Sequence, residues 1–343
     1  MKINNKNIRY FNQIERLDDN FILKSFIGEE GKYKDKFIDE IKWLINAQNL
    51  IPNNVPKIVD YSLDKSNPWI KYHFIEFDTV HDMFINSNEN YDDQYWAKLI
   101  PTIENFFKTC QKIKPNNFDL NEWAENAFLF SIKRQYLAIE KLLKDKKFTL
   151  FTENDEITIN GKKYPSLKVI NKFLKMIIDK KENNLVDDNI LKVDKDRICL
   201  AHLDLVFGNM FFDTKTQNLI SIDPRGQYLN NSIFGDIYYD FAKLYQSVYG
   251  RYDLICEDKF EIEIKNDEIS YECMKLENLD KIQKHFDKLF NKFDVELIKF
   301  IESLQFITMI PAHEDNYQRQ IVELCVGIQH FYEVIGNRIW KLS

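Results

Sequence analysis

Glycine and proline are scarce in this 343-residue chain, at 9 and 8 residues. That excludes low-complexity linkers and favours a compact, mostly helical chain. A basic excess is also missing, since 47 Lys and Arg stand against 54 Asp and Glu, for a formal charge of -7. Nucleic acid is therefore excluded as a partner, because its phosphates are repelled where no basic patch concentrates positive charge. Five cysteines, Cys110, Cys199, Cys256, Cys273 and Cys325, are odd in number, lack any metal-ligand spacing and read as reduced thiols. No segment approaches the roughly 20 apolar residues of a membrane span, and the opening MKINNKNIRYFNQIERL has no apolar core of signal-peptide length. A cytoplasmic protein without membrane insertion is expected. Hydrophobic residues are plentiful, 44% of the chain with 14% aromatic, enough to bury a large core.

One stretch carries chemistry. Ala201 to Gly226 reads AHLDLVFGNMFFDTKTQNLISIDPRG. An apolar run, Ile198 to Ala201, leads into a loop with His202 and Asp204. Met210 to Phe212 and Leu219 to Ile222 then read as short strands joined by the polar turn Thr214 to Asn218. Antiparallel pairing puts Asn209, just before the first strand, and Asp223, just after the second, at the same end of the hairpin, where one metal ion can take both. An amide oxygen and a carboxylate are hard ligands suited to magnesium on nucleotide phosphates, and Asp204 is placed to receive a proton from an attacking hydroxyl. Each residue alone reads as a turn or cap; the combination points to phosphoryl transfer.

The pattern His-x-Asp-x-x-x-x-Asn followed by Ile-Asp resembles the catalytic and metal-binding loops of the aminoglycoside phosphotransferase and choline kinase superfamily, itself similar to protein kinases. The resemblance implies an α+β, bilobal, protein-kinase-like fold. Its small β-rich N-terminal lobe, residues 1–78, would bind nucleotide. A larger helical lobe, residues 79–343, would hold the catalytic loop and the acceptor, with hairpin insertions near 148–164 and 259–273. It also implies ATP or GTP as donor, Mg²⁺ on Asn209 and Asp223, a small-molecule hydroxyl as acceptor, Asp204 as the catalytic residue and His202 in support of its loop. The run IDPRG and GDIYYDFAKLYQSVYGRYD looks more like phosphotransferases of capsule and surface-polysaccharide synthesis than like resistance enzymes, which implies a sugar or sugar-like alcohol as acceptor. Two alternatives stand beside this reading. One is a choline or ethanolamine kinase, for which 17 Tyr, 27 Phe and 5 Trp offer material for an aromatic cation site. The other is a nucleotide-binding pseudokinase scaffold.

Further residues follow from the pattern along the chain. Phe21 to Ile27 reads as a strand and Tyr33 to Asn49 as a helix with the stripe Phe37, Ile41, Leu44 and Ile45. Glu40 falls inside that stripe, where a carboxylate wants a cation, and Lys24 in the strand is the obvious partner. The bland reading is a snorkelling lysine and an edge glutamate; the resemblance makes the pair the lysine and glutamate that hold nucleotide phosphates. Trp69 to Phe77 reads as a strand, and the resemblance implies that backbone near Glu76 to Asp78 pairs with a nucleobase. After the hairpin, Ile237, Phe241, Leu244, Tyr245 and Val248 share a helical face that starts at the N-cap Asp236 and stops at Gly250. The resemblance adds support of the catalytic loop by Asp236. Arg225 either braces the Asp223 carboxylate or receives a substrate anion. His313, Glu314 and Asp315 lie at the start of a last helix and read as capping residues, while the resemblance offers His313 and Asp315 as acceptor ligands.

Helices are expected over about 92–114, 120–146 and 166–181. FTLFTENDEITINGKKYPSL and KFEIEIKNDEISYECM read as hairpins with turns at Asn160-Gly161 and Lys265 to Asp267, decorative insertions in the larger lobe. Two departures from the family pattern are plain. No glycine precedes Lys24, so a phosphate-covering glycine loop is missing, and a polar turn near Asn12 or at Asp18 to Asn20 would have to replace it. Leu203 stands where a glycine is frequent.

Overall fold

The computed structural model describes residues 12–28, 32–116, 120–182, 194–226 and 233–339. The strands among them are β1 (Asn12–Arg16), β2 (Phe21–Phe26), β3 (Ile58–Ser62), β4 (Trp69–His73), β5 (Glu156–Ile159), β6 (Lys162–Pro165), β7 (Ile198–Leu200), β8 (Met210–Asp213), β9 (Asn218–Ser221), β10 (Phe234–Asp236), β11 (Phe260–Lys265) and β12 (Glu268–Cys273). The helices are α1 (Lys32–Leu50), α2 (Val80–Ile85), α3 (Ser87–Asn90), α4 (Asp93–Lys112), α5 (Leu120–Leu142), α6 (Thr149–Thr152), α7 (Leu167–Glu182), α8 (Ile237–Val248), α9 (Tyr252–Cys256), α10 (Leu279–Phe290), α11 (Val295–Thr308) and α12 (Tyr317–Ile339). The class is α+β, with a small sheet near the N-terminus. No helix of the described residues is long and apolar enough to cross a membrane.

The chain divides into two compact units, the first made of Met1–Phe84, Asp92–Asn117 and Ile198–Asp240, the second of the remainder. In the first, β1-β2-β4-β3 form an antiparallel sheet. Strand alternation turns Ile22, Lys24 and Phe26 of β2 to the buried face. Helix α1 buries Phe37, Ile41 and Leu44 with Glu40 among them, because positions three and four apart share a helical face. β7 pairs with β10, and β8 with β9 as a hairpin in which Met210 faces Ser221. Asp92 caps α4, its carboxylate accepting from Gln94 N at 2.9 Å.

The second unit joins a four-stranded sheet, β11-β12-β5-β6, to helices whose buried residues include Ile139, Ile170, Leu174, Phe300, Phe331 and Ile335. Its two hairpins turn at Asn160-Gly161 (φ 50 and 74) and Asn266-Asp267 (φ 48 and 62), the left-handed pairs that match strand twist in two-residue turns. They are not separate decorations, because β12 pairs in parallel with β5, Ile269 opposite Ile159. The first hairpin is also shorter than the sequence suggests. Lys146–Phe148 is a 3-10 turn capped by Asp145, and Thr149–Thr152 continues it as α6.

Candidate active site

Lys24 is 2% exposed, and its Nζ donates to Glu40 Oε1 and to Asp223 Oδ1, both at 2.6 Å. Burial works against the ammonium, but the carboxylates of Asp223 and Glu40 outweigh it and hold Lys24 charged above the ordinary lysine range. Glu40 is nearly as buried as the lysine, whereas the Asp223 side chain keeps 22% of its surface in solvent. The strand, the helix and the post-hairpin loop each contribute one charge to this triad.

The loop after β7 is fixed from several directions. Trp43 of α1 donates from Nε1 to the Ala201 carbonyl at 2.9 Å, and Arg225 N donates to the His202 carbonyl at 3.0 Å. Leu203 stands in the left-handed region at φ 65, the conformation that a glycine adopts without strain. Two hydrogen bonds hold it there: His202 N and Leu203 N donate to Asp240 Oδ2 and Oδ1 at 2.8 and 2.5 Å. Asp240 is buried, which pushes its carboxyl up to about 7 against the pull of those two amides. His202 is buried edge-on against Trp43, its ring nitrogens without a hydrogen bond of good geometry. Burial takes its imidazole down to about 4, although Asp204, the Ile222 carbonyl and Asp223 act in the other direction. It is neutral at pH 7.

Asn209 ends a single 3-10 turn, Phe207–Asn209, and its Nδ2 donates to the Asp204 carbonyl at 2.7 Å. Ile222 N donates to the Asn209 carbonyl at 3.0 Å. The hairpin therefore brings Asn209 and Asp223 to one end, as antiparallel pairing predicts. Because the Asn209 amide nitrogen is committed to the loop, its oxygen is the atom for a cation. Asp223 itself has φ 56, and Gly226 has φ 86. A Cβ on Gly226 would lie 2.4 Å from the Asp39 carbonyl carbon and 2.6 Å from Glu40 N, so the Asp-Pro-Arg-Gly turn lies against the backbone of α1 beside Glu40. Arg225 donates from a terminal guanidinium nitrogen to the Tyr239 hydroxyl at 3.2 Å.

The first unit thus gathers Lys24, Glu40, Asp223 and Asn209 with the loop of His202 and Asp204. Glu76 and Asp78 are exposed in the link after β4, whose next residue, Thr79, bridges to Phe211 of β8. Asp236 ends β10 and accepts from Tyr238 N at 2.9 Å, the capping bond expected of it; the carboxylate on the loop amides is that of Asp240. That residue was legible, since it falls three after Ile237 and four before Leu244, a charge inside an apolar stripe like Glu40. His313 and Asp315 belong to the second unit. There His313 Nδ1 lies 2.5 Å from the buried Glu323 carboxylate, and Asp315 pairs with Arg319 at 3.1 Å. The turn at Asp18 to Asn20 is closed on itself, Asp18 Oδ1 accepting from Asn20 N and Phe21 N at 2.7 and 3.1 Å, so those amides do not cover a phosphate. Asn12 is the first residue of β1 rather than a turn, and residues 1–11 lie outside the described set.

Among the described residues no three His, Cys, Asp or Glu side chains gather as a metal cage. One amide oxygen and one carboxylate still fit magnesium, which keeps several waters and takes the rest of its ligands from substrate phosphates.

No family model matches the chain, and no curated protein matches it. Among solved structures, an aminoglycoside-3'-phosphotransferase of type VIII aligns over 86% of this chain and 93% of its own, at 11% identity and TM-score 0.44. A spectinomycin phosphotransferase in complex with ADP and spectinomycin aligns over 94% and 88%, at 11% identity and TM-score 0.37. The AMP-bound complex of a spectinomycin phosphotransferase aligns over 98% and 90%, at 10% identity and TM-score 0.41. At these values the likeness carries no argument about function, which rests on the side chains of the first unit.

Proposed function

We propose that this chain is an ATP- and Mg²⁺-dependent phosphotransferase that phosphorylates a hydroxyl of a small metabolite, a sugar or sugar-like alcohol destined for surface polysaccharide. The observation that carries the reading is Lys24 bonded at once to Glu40 and Asp223. A buried cation held on two acids, one of them partly in solvent, is prepared to meet nucleotide phosphates beside the metal-binding carboxylate. Magnesium bound by Asn209 and Asp223 would neutralise charge on the transferring phosphate. Glu40 keeps Lys24 extended, Asp204 takes the proton of the acceptor hydroxyl, and His202 packs the loop as a neutral ring. The backbone of Glu76 to Asp78 would meet the nucleobase, adenine or guanine. Residues 1–78 would form the nucleotide lobe and residues 79–343 the acceptor lobe, with Arg225, His313 and Asp315 as acceptor contacts. A cytoplasmic site suits the donor.

The test is Mg²⁺-dependent ADP release across sugars, polyols, aminoglycosides, choline and ethanolamine, with Asp204→Asn as control. Acceptor-stimulated release that the variant loses by about 10²-fold or more supports the assignment. Turnover restricted to amino alcohols would replace the sugar acceptor by choline or ethanolamine. Full activity in Asp204→Asn would remove the proposed base, and nucleotide binding without transfer to any acceptor would leave a scaffold.

A further inference from the structure

The second unit contains a cavity of ≈ 430 Å³ that shares no residue with the candidate active site. Its walls exist because the two hairpins pair. Asn160, at the turn of the first, accepts from Tyr271 N at 2.8 Å and donates to the Tyr271 carbonyl at 3.2 Å. Arg251 lines the cavity from a left-handed backbone, φ 55. The preceding Gly250 fits only as glycine, because a Cβ there would lie 2.4 Å from the Phe306 ring. A non-glycine residue held in this region marks a constrained, often ligand-facing, turn.

Charge and hydrogen bonding favour one kind of occupant. Among the described residues no carboxylate pairs with Arg251. Its guanidinium instead lies by the Cys273 thiol, which burial pushes up while the arginine acts in the other direction. Glu272, the carboxylate among the lining residues, pairs with Lys275 at 3.2 Å. His330, on the wall formed by α12, donates from Nδ1 to both oxygens of the fully buried Glu302, at 3.1 and 2.9 Å. That fixes the ring and leaves Nε2 to meet a ligand hydroxyl. Tyr271 OH donates to Gln329 of α12 at 2.6 Å, which ties β12 to the same helix.

We infer that this cavity binds a small hydroxylated oxyanion, a polyol carrying one phosphate or carboxylate, with the oxyanion on Arg251 and a hydroxyl on His330. The volume falls within the range of small-molecule pockets, and a guanidinium fork matches either oxyanion. The site is independent of the function proposed for the first unit.

Calorimetric titration of the full chain with glycerol 3-phosphate and with gluconate, against glycerol, tests it, and the probe that binds identifies the oxyanion. Saturable binding is expected for one of the acids and none for glycerol. Arg251→Asn removes the charge while tolerating the left-handed backbone, and weakens binding about ten- to a hundredfold. His330→Phe weakens it as well. Should Arg251→Asn fail to fold, Arg251→Lys serves in its place: losing the planar fork weakens binding, and native affinity in that variant overturns the site. Binding of neither acid, or native affinity in Arg251→Asn, also overturns it.

Discussion

Replacing Lys24 by methionine keeps the shape of the side chain and removes the charge that two carboxylates share. Glu40, 6% exposed, is then a buried anion that has lost its lysine, while Asp223 still reaches solvent. Breaking a buried pair from one side costs about 3–5 kcal/mol, mostly the penalty on the charge left behind. Glu40→Gln alone leaves Lys24 paired with Asp223 and costs less, about 1–2 kcal/mol. The double variant buries neither charge, so it is expected to be more stable than Lys24→Met alone, with a coupling of about 2 kcal/mol. Urea denaturation followed by tryptophan fluorescence measures this, because Trp43, Trp69 and Trp96, three of the five tryptophans, belong to the first unit. Lowering the pH from 8 to 5 should restore part of the loss in Lys24→Met, since a buried carboxylate deprived of its ammonium relieves itself by taking up a proton. Additive losses in the double variant, or a loss in Lys24→Met indifferent to pH, would refute the picture of a mutually dependent triad.

Asp240→Asn sets an NH₂ against one of two backbone donors and is expected to cost about 2–3 kcal/mol; kcat should fall tenfold or more with nucleotide affinity within about twofold, and an unchanged kcat would show that the loop does not need this carboxylate. His202 and Asp240 predict a pH signature of opposite signs. The imidazole, at about 4 folded against 6.5 ordinarily, contributes stability that is present above pH 6.5 and is lost as pH falls toward 4, about 3 kcal/mol in all. The carboxyl, at about 7 folded against 3.8, contributes stability that is present below pH 3.8 and is lost as pH rises through 7. The native chain should therefore vary little between pH 4.5 and 6.5, while Asp240→Asn should weaken steeply toward acid; a flat profile in that variant would contradict the buried neutral histidine. Gly226→Ala sets a Cβ 2.4 Å from the Asp39 backbone at φ 86, so a melting temperature and activity equal to those of the native chain would mean that the turn and α1 are not locked together.

The elements that hold the site were legible wherever one side chain broke a regular pattern. Lys24 interrupts a buried strand face and Glu40 a buried helical stripe, and two strands around a polar turn already place Asn209 beside Asp223. Other features leave no such mark. β3 is an edge strand whose Val59 and Tyr61 are exposed, so its alternation is lost. α11 buries Glu302, Ser303 and Gln305 along with Phe300 and Leu304, and a helix buried nearly all round with polar groups inside shows no clean amphipathic period. α10, by contrast, has a regular stripe of Ile282, Phe286 and Leu289 that marks a helix in the sequence itself. The parallel pairing of β12 with β5 joins hairpins far apart in sequence, and nothing local in either specifies it. Asp240 carried the right signal, but its partners are backbone amides of a loop, and backbone donors have no sequence signature.

Three of the site's charges, Lys24, Glu40 and Asp240, occupy positions that strand or helix periodicity assigns to the core. Stability does not explain them, because apolar residues of similar volume at such positions are often neutral or stabilising. Lys24→Met combined with Glu40→Leu should accordingly fold at least nearly as well as the native chain while Asp223 turns to water. What it loses is the cation that fixes the Asp223 carboxylate at 2.6 Å and the acid that keeps that cation in place. A chain selected only to fold would drift toward the apolar pair; one that must hold a charged group ready for phosphates needs the buried ions, the left-handed Asp223 and the close approach of Gly226 together. The three are physically one device: Gly226 brings the turn against α1 beside Glu40, and only from that distance can a single lysine reach both acids.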